Sequence, residues 1–265
     1  MTTGSPAWSG GLCAFQPDTV LPCEVVPAVN VEPRLLDLTP RLLILHYTGM
    51  SSAAKAVQWL ACAQSRVSCH YVIDEAGAIT QLVPEASRAW HAGVSSWAGV
   101  TDINSASIGI EIQNPGHEDG YEDFSSAQMA AVAALCRDIV DRHNIRPRDV
   151  LGHSDVAPAR KIDPGEKFDW GYLHGAGVGH WVPPVPVEDA DQGFERGYFG
   201  AAVFEVQTAL QRYGYGIEVT GTIDEATAFA LRAFQLHFRP ARVDGRLDAS
   251  TRATLQHLIE ALPVA

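Results

Sequence analysis

The 265-residue chain has no apolar run approaching the roughly 20 residues that cross a bilayer, so no transmembrane segment is expected. Basic residues are scarce. Nineteen Lys and Arg stand against 31 Asp and Glu, a formal net charge of −12, which argues against nucleic acid or anionic lipid as a partner for a broad basic surface. The five cysteines (Cys13, Cys23, Cys62, Cys69 and Cys136) form no CxxC pair, which removes zinc-ribbon and thioredoxin-like motifs. A Cys13–Cys23 bridge stays open, and Cys136 reads as a small buried hydrophobe on the apolar face of a helix. The first thirty residues lack the charged start and apolar stretch of a secretory leader. No Ser–His or Cys–His nucleophile motif is visible, which disfavours covalent catalysis.

What is present is an ordinary globular composition, 46% hydrophobic and 19% charged, long enough for two modest domains. Residues 1–40 are Pro-rich and expected to be irregular, wrapping a domain rather than forming one. The run Leu42–Tyr47 reads as a buried strand. A helix over 52–63 would carry Ala54, Val57 and Leu60 on its inner face. Segments 70–74 and 78–83 flank Gly77 as a hairpin, the glycine supplying a positive φ. Over Ser107–Gln113 the isoleucines at 108, 110 and 112 alternate with Gly109, Glu111 and Gln113, so Glu111 belongs to the face opposite them. Ser125 and Gln128 have capping-box spacing at the head of a long amphipathic helix. Strands and helices alternate to about residue 182, predicting a sheet covered by helices.

Prolines 183, 184 and 186 and the acidic residues after them mark a linker over 183–198. Beyond it lies an internal repeat: Gly221-Thr-Ile-Asp224-Glu-Ala-Thr227 matches Gly245-Arg-Leu-Asp248-Ala-Ser-Thr251. Each aspartate can cap a helix, and an apolar helix over Val203–Tyr213 precedes both, giving three short helices in residues 199–262.

Three metal-capable side chains stand at or near strand ends. His46 ends an apolar run, His153 follows Val150-Leu151-Gly152, and Asp163 comes ten residues later, two after Lys161. Two imidazoles and one carboxylate leave a fourth tetrahedral position open, the ligand count of a catalytic zinc. A histidine at a strand end is more often structural, and an aspartate before proline is often a turn former. The residues alone say zinc hydrolase and no more.

Five ordered segments sharpen this: Leu45-His46-Tyr47-Thr48, Ala89-Trp90-His91-Ala92-Gly93, Ser107-Ile108-Gly109-Ile110-Glu111, Gly152-His153-Ser154-Asp155 and Pro158-Ala-Arg-Lys161-Ile-Asp163-Pro-Gly165. Together they resemble the zinc N-acetylmuramoyl-L-alanine amidases, relatives of the peptidoglycan-recognition proteins. The C-terminal repeat, with Ala233-Phe234-Gln235, resembles the three-helix peptidoglycan-binding module, and the domain order is most similar to the AmiD-type enzymes.

The resemblance implies an α/β amidase domain over 41–182, with a mixed central sheet flanked by helices, followed by a small three-helix all-α domain. It implies one Zn2+ held by His46, His153 and Asp163. It also implies Glu111 as the catalytic proton carrier and Lys161 as the stabiliser of negative charge on the carbonyl oxygen. The bond cleaved would join the lactyl group of N-acetylmuramic acid to L-alanine. Trp90 and His91 are expected to shape the substrate cleft. Asn114 is expected to contact the peptide, with a turn role before Pro115 as the competing reading. His70 is expected to be a buried, hydrogen-bonded histidine rather than a ligand.

The partner expected is peptidoglycan or muropeptide fragments, met by a monomer whose C-terminal module raises local concentration. That module favours the periplasm or cell envelope, while the missing leader leaves the cytoplasm open. Two other readings stand: a wall-recognition protein without turnover, and a phage-type endolysin.

Overall fold

A computed structural model describes residues 15–35 and 38–263. In chain order the elements are β1 (Cys23–Val25), β2 (Val31–Pro33), β3 (Leu42–Tyr47), α1 (Ala53–Ala61), β4 (Tyr71–Ile73), β5 (Ile79–Gln81), β6 (Ser87–Ala89), α2 (Ile103–Ala106), β7 (Ser107–Ile112), α3 (Ser126–His143), β8 (Val150–Gly152), α4 (His153–Val156), α5 (Trp170–Gly175), α6 (Ala201–Tyr213), α7 (Glu225–Phe238) and α8 (Ala249–Glu260). Six strands form one mixed sheet in the order β1-β5-β4-β7-β3-β8, and β2 pairs with β6 separately. Only β4–β5 is antiparallel within the large sheet, which is the hairpin expected around Gly77, whose φ is +86°. Among the described residues no helix is long and apolar enough to cross a membrane.

The segment before residue 40 departs from the expected irregular wrap. Backbone hydrogen bonding recruits it twice, as edge strand β1 beside β5 and as β2 beside β6. Cys13 lies outside the described residues, and Cys136 is buried on α3 as expected. The capping box forms: Ser125 Oγ accepts from Gln128 N, and Ser125 N donates to Gln128 Oε1. On α1 the inner face is Ala53, Ala56 and Leu60 with Val57 packed at its side, as expected except for Ala54, which is exposed.

Alternation along the strands sorts their side chains between two faces. Leu43, Leu45, Ile108, Ile110 and Ile112 pack under α3. Leu42 and Ile44 point the other way and join Trp97, Leu151, Val156 and residues of the C-terminal helices, including Leu210, Phe234 and Phe238. The helical module therefore shares a core with the sheet domain. The repeat has a physical basis: Gln207 and Gln235 are buried, and each accepts from the two backbone amides of its loop, Thr220 and Gly221 or Asp244 and Gly245. The aspartates cap α7 and α8 as expected, Asp224 accepting from Thr227 N and Asp248 from Thr251 N. The segment after residue 182 is pinned to α8, where Val185 N donates to Thr254 Oγ1 at 3.0 Å.

Candidate metal centre and active site

Parallel pairing brings the carboxyl ends of β3, β7 and β8 to one edge of the sheet, where open α/β sheets place their ligands. His46 lies on β3, and His153 begins α4 directly after β8. Asp163 returns on the following loop, tied down by a 3.0 Å bond from Ser154 N to its carbonyl. A side chain at Gly152 would meet Pro164 Cδ at 2.9 Å, so the bare glycine is what lets this loop close against the strand end. All three side chains are buried, and His46 Nδ1, His153 Nδ1 and Asp163 Oδ2 stand 2.9–3.0 Å apart.

The protons around this cluster can be traced. Ile103 O accepts the hydroxyl proton of Ser107 at 2.6 Å, so Ser107 Oγ accepts from His91 Nε2–H at 3.1 Å. Burial holds the His91 pKa well below the usual range, which keeps the ring neutral and leaves Nδ1 with its lone pair. His46 Nε2–H then donates to that Nδ1 at 3.0 Å. His46 is itself held neutral, its pKa lowered to about 4 by burial and by neighbouring His153. Its Nδ1 lone pair therefore faces the cluster. The carbonyl of Ala92 accepts from His153 Nε2–H at 3.1 Å, which turns the Nδ1 of that ring toward the cluster.

Burial opposes charge on Asp163, yet His153 and His46 hold its pKa far below the ordinary carboxylate value. Two ring nitrogens and a carboxylate oxygen thus meet at one buried point, where a shared proton or a bound cation balances their electron pairs. The donor set fits a divalent metal.

Glu111 occupies the rung of β7 beside His46. Burial and the charge of Asp163 push its pKa well above the usual carboxylate value, and Lys161 opposes them. Its Oε2 is buried with no hydrogen-bond partner among the described residues. Lys161, Glu111 and the three donors line one cleft of about 460 Å³.

Other expected site residues fall differently. His91 lines the cleft as expected and also lies behind His46, crossing β7 where a Cβ at Gly109 would sit 2.5 Å from its ring, so it props a donor as well. Trp90 does not line the cleft. Asn114 is turned inward, its amide donating to Glu122 O and accepting from Gly116 N, so the turn role replaces peptide contact. His70 is fully buried, its Nδ1 accepting from Gly109 N, and stands outside the donor cluster.

Sequence reasoning missed Tyr47, Trp59, His117 and Arg160 on the cleft wall. Trp59 is 47% exposed on α1, a tryptophan off the apolar stripe, and that mismatch was a readable signal. His117 had no such signal. It stacks on Tyr121 with ring centroids 4.1 Å apart and bridges Tyr47 to Glu166, a grouping made only by the fold.

The family profile described as N-acetylmuramoyl-L-alanine amidase matches residues 36–166, and that of a peptidoglycan binding domain matches residues 199–255. The N-acetylmuramoyl-L-alanine amidase AmiD of Escherichia coli is 34% identical over 245 residues, 83% of this chain and 82% of that one. The solved E. coli AmiD complex with the substrate anhydro-N-acetylmuramic acid-L-Ala-D-γ-Glu-L-Lys is similar with a TM-score of 0.69 at 33% identity, covering 86% of this chain and 90% of that one. Pseudomonas aeruginosa AmpDH3, solved with an anhydromuramic pentapeptide, gives a TM-score of 0.71 at 34% identity, covering 85% and 93% of the respective chains. Similarity at this level along most of both chains means that this chain belongs to the N-acetylmuramoyl-L-alanine amidases and carries a peptidoglycan-binding domain behind its catalytic one.

Proposed function

We propose that this amidase is a zinc enzyme of cell-wall turnover, acting as a monomer in the periplasm or cell envelope on peptidoglycan or its muropeptide fragments. His46, His153 and Asp163 hold one Zn2+, and the convergence of their three donor atoms at one buried point is the observation that carries the reading. Bound there, zinc supplies Lewis acidity, acidifying water and polarising a carbonyl. Glu111 takes the proton of the attacking water as its oxygen bonds to the lactyl carbonyl carbon of N-acetylmuramic acid. The raised proton affinity of its carboxylate suits it to hold that proton and then release it to the L-alanine nitrogen as the C–N bond breaks. Lys161, on the cleft wall, offsets the negative charge that gathers on the carbonyl oxygen. The products are a free lactyl carboxylate and a peptide with a free L-alanine amino terminus. The substrates bound in the AmiD and AmpDH3 complexes support fragments of this kind, and the wall-binding domain supports an envelope location.

The test is mass spectrometry of a defined disaccharide-peptide incubated with the protein, with chelator-treated protein and with zinc-restored protein. Zinc-dependent release of the peptide beside an intact disaccharide is expected. No cleavage with zinc content verified would replace this reading with wall recognition without turnover.

A further inference from the structure

Asp155, two residues after His153, has a fully buried side chain that accepts three hydrogen bonds. One comes from its own chain segment: Gly152 N donates to Oδ2 at 2.8 Å, fixing the turn from β8 into α4. The other two come from the peptidoglycan-binding domain. Tyr215 Oη donates to Oδ1 at 2.6 Å, and His237 Nδ1 donates to Oδ2 at 2.7 Å. Tyr215 and His237 are themselves buried, and His237 stacks on Trp170 with ring centroids 3.6 Å apart. A buried carboxylate needs such donors, because each one lost exposes charge to an apolar surrounding.

A second contact reaches the other buttress of the same histidine. Ala92 O, which accepts from His153 Nε2, begins a loop that runs through Ser96–Ala98. Ala98 N donates to Gly214 O at 2.8 Å, and Ser96 N donates to Val156 O on α4 at 2.8 Å. Trp97 is wedged between these segments, its ring centroid 5.0 Å from that of Tyr215, and a Cβ on Gly214 would strike the indole at 2.5 Å. The C-terminal domain therefore braces both the peptide turn that launches His153 and the loop that orients its ring.

We propose that the peptidoglycan-binding domain is a structural part of the metal centre, with Tyr215 and His237 as positioning residues acting on His153 through Asp155. A domain that only raised local concentration would need no buried polar bond to the catalytic one, and a tether has no use for a shared core. The inference rests on the zinc reading of the His46–His153–Asp163 cluster. It extends that reading to a domain whose family role is wall binding. Wall binding and support of the site then reside in one unit, so this chain deprived of the domain is expected to be defective toward small soluble substrate as well as toward the wall.

The full-length Tyr215→Phe, His237→Asn double variant tests it, with single Tyr215→Phe as the mildest form because only a hydroxyl is removed. Three quantities are read: zinc affinity by competition with a chromophoric chelator, kcat and KM on a small soluble muropeptide, and cosedimentation with sacculi. Outer-shell partners of metal ligands commonly change affinity by about tenfold or more. Zinc affinity is expected to fall by about tenfold, kcat to fall with KM unchanged, excess zinc to recover kcat, and sacculus binding to stay at the wild-type level. Unchanged zinc affinity and kcat in both variants would overturn the inference, as would a lower melting temperature with zinc affinity intact. Should the wild type bind zinc and cleave nothing, the proposed reaction fails, while the affinity measurement still decides the role of Tyr215 and His237.

Discussion

His46 and Glu111 occupy one rung of the parallel pair β3–β7, so sheet register alone sets an imidazole of the His46–His153–Asp163 cluster beside an acid with a raised proton affinity. Neither residue depends on loop placement to meet the other. Replacing Glu111 with Gln or Ala removes the proposed proton carrier and leaves His46, His153 and Asp163 untouched. The expected outcome is a fall in kcat of about 10²–10⁴ with zinc still at one ion per chain. Near-full turnover by either variant would remove Glu111 from the mechanism.

Lys161 acts, on this reading, on charge that exists only once water has added to the carbonyl. Lys161→Met keeps the stem of the side chain and deletes the cation. Loss of one such stabilising group costs about 10²–10³ in kcat, and KM is expected to move little. A large rise in KM at constant kcat would make Lys161 a ground-state substrate contact instead.

The legible part of this site was its chemistry within short motifs. His46, His153 and Asp163 sit in segments where residue type and spacing were unusual enough to be read together, and the structure gathers them into one cluster. The alternation in β7 placed Glu111 away from the isoleucines because a period of two survives any tertiary context. What sequence did not yield was everything made by distant segments meeting. Asp155 sits in a recognised motif, but its partners Tyr215 and His237 lie 60 and 82 residues away with no pattern to mark them. Asn114 was assigned to the right neighbourhood and the wrong surface, and the backing of His46 by His91 was not foreseen although His91 does line the cleft. Which way a polar side chain turns is decided by hydrogen bonds to Glu122, Gly116, His46 and Ser107 that no local rule encodes.

Metal removal has a consequence for stability as well as for turnover. Zinc at 100 times its dissociation constant contributes about 2.7 kcal/mol to the folded state, which for a protein of this size corresponds to roughly 5–10 °C in melting temperature. Chelation should lower the melting temperature by that order and zinc should restore it, whereas His153→Ala should respond to neither. Equal melting of the apo and zinc-loaded protein would speak against ordered binding at this cluster.

His70 makes the fold acid-sensitive independently of the metal. Burial and the adjacent Arg34 guanidinium lower its pKa from 6.5 to about 3, so the folded state keeps it neutral where the unfolded chain takes up a proton. For a depressed pKa, the stability is present above 6.5 and is lost as pH falls toward 3. At pH 5 the unfolded state gains about 2 kcal/mol from this one group. Thermal melts between pH 7.5 and 4.5 should show a decline that is shallower in His70→Gln, which cannot titrate. Parallel curves for the two proteins would assign the acid sensitivity elsewhere.

Gly109 is the position where strand chemistry and metal chemistry meet. A methyl group there would lie 2.5 Å from His91 Cγ and 2.6 Å from Nδ1, the atom that accepts from His46. The ring cannot retreat without leaving Ser107 on its far side. Gly109→Ala should therefore destabilise the fold by about 1–3 kcal/mol, the usual range for overpacking a close-packed interior. It should also weaken zinc binding, because His46 loses the partner that fixes its tautomer. Gly175→Ala is the matched control: nothing lies within 4 Å of its added methyl, and its backbone is not in the left-handed region. Melting temperature and zinc content of the two variants decide the matter. If Gly109→Ala melts with the wild type and holds zinc as tightly, the bare strand is not what seats His91 behind the metal centre.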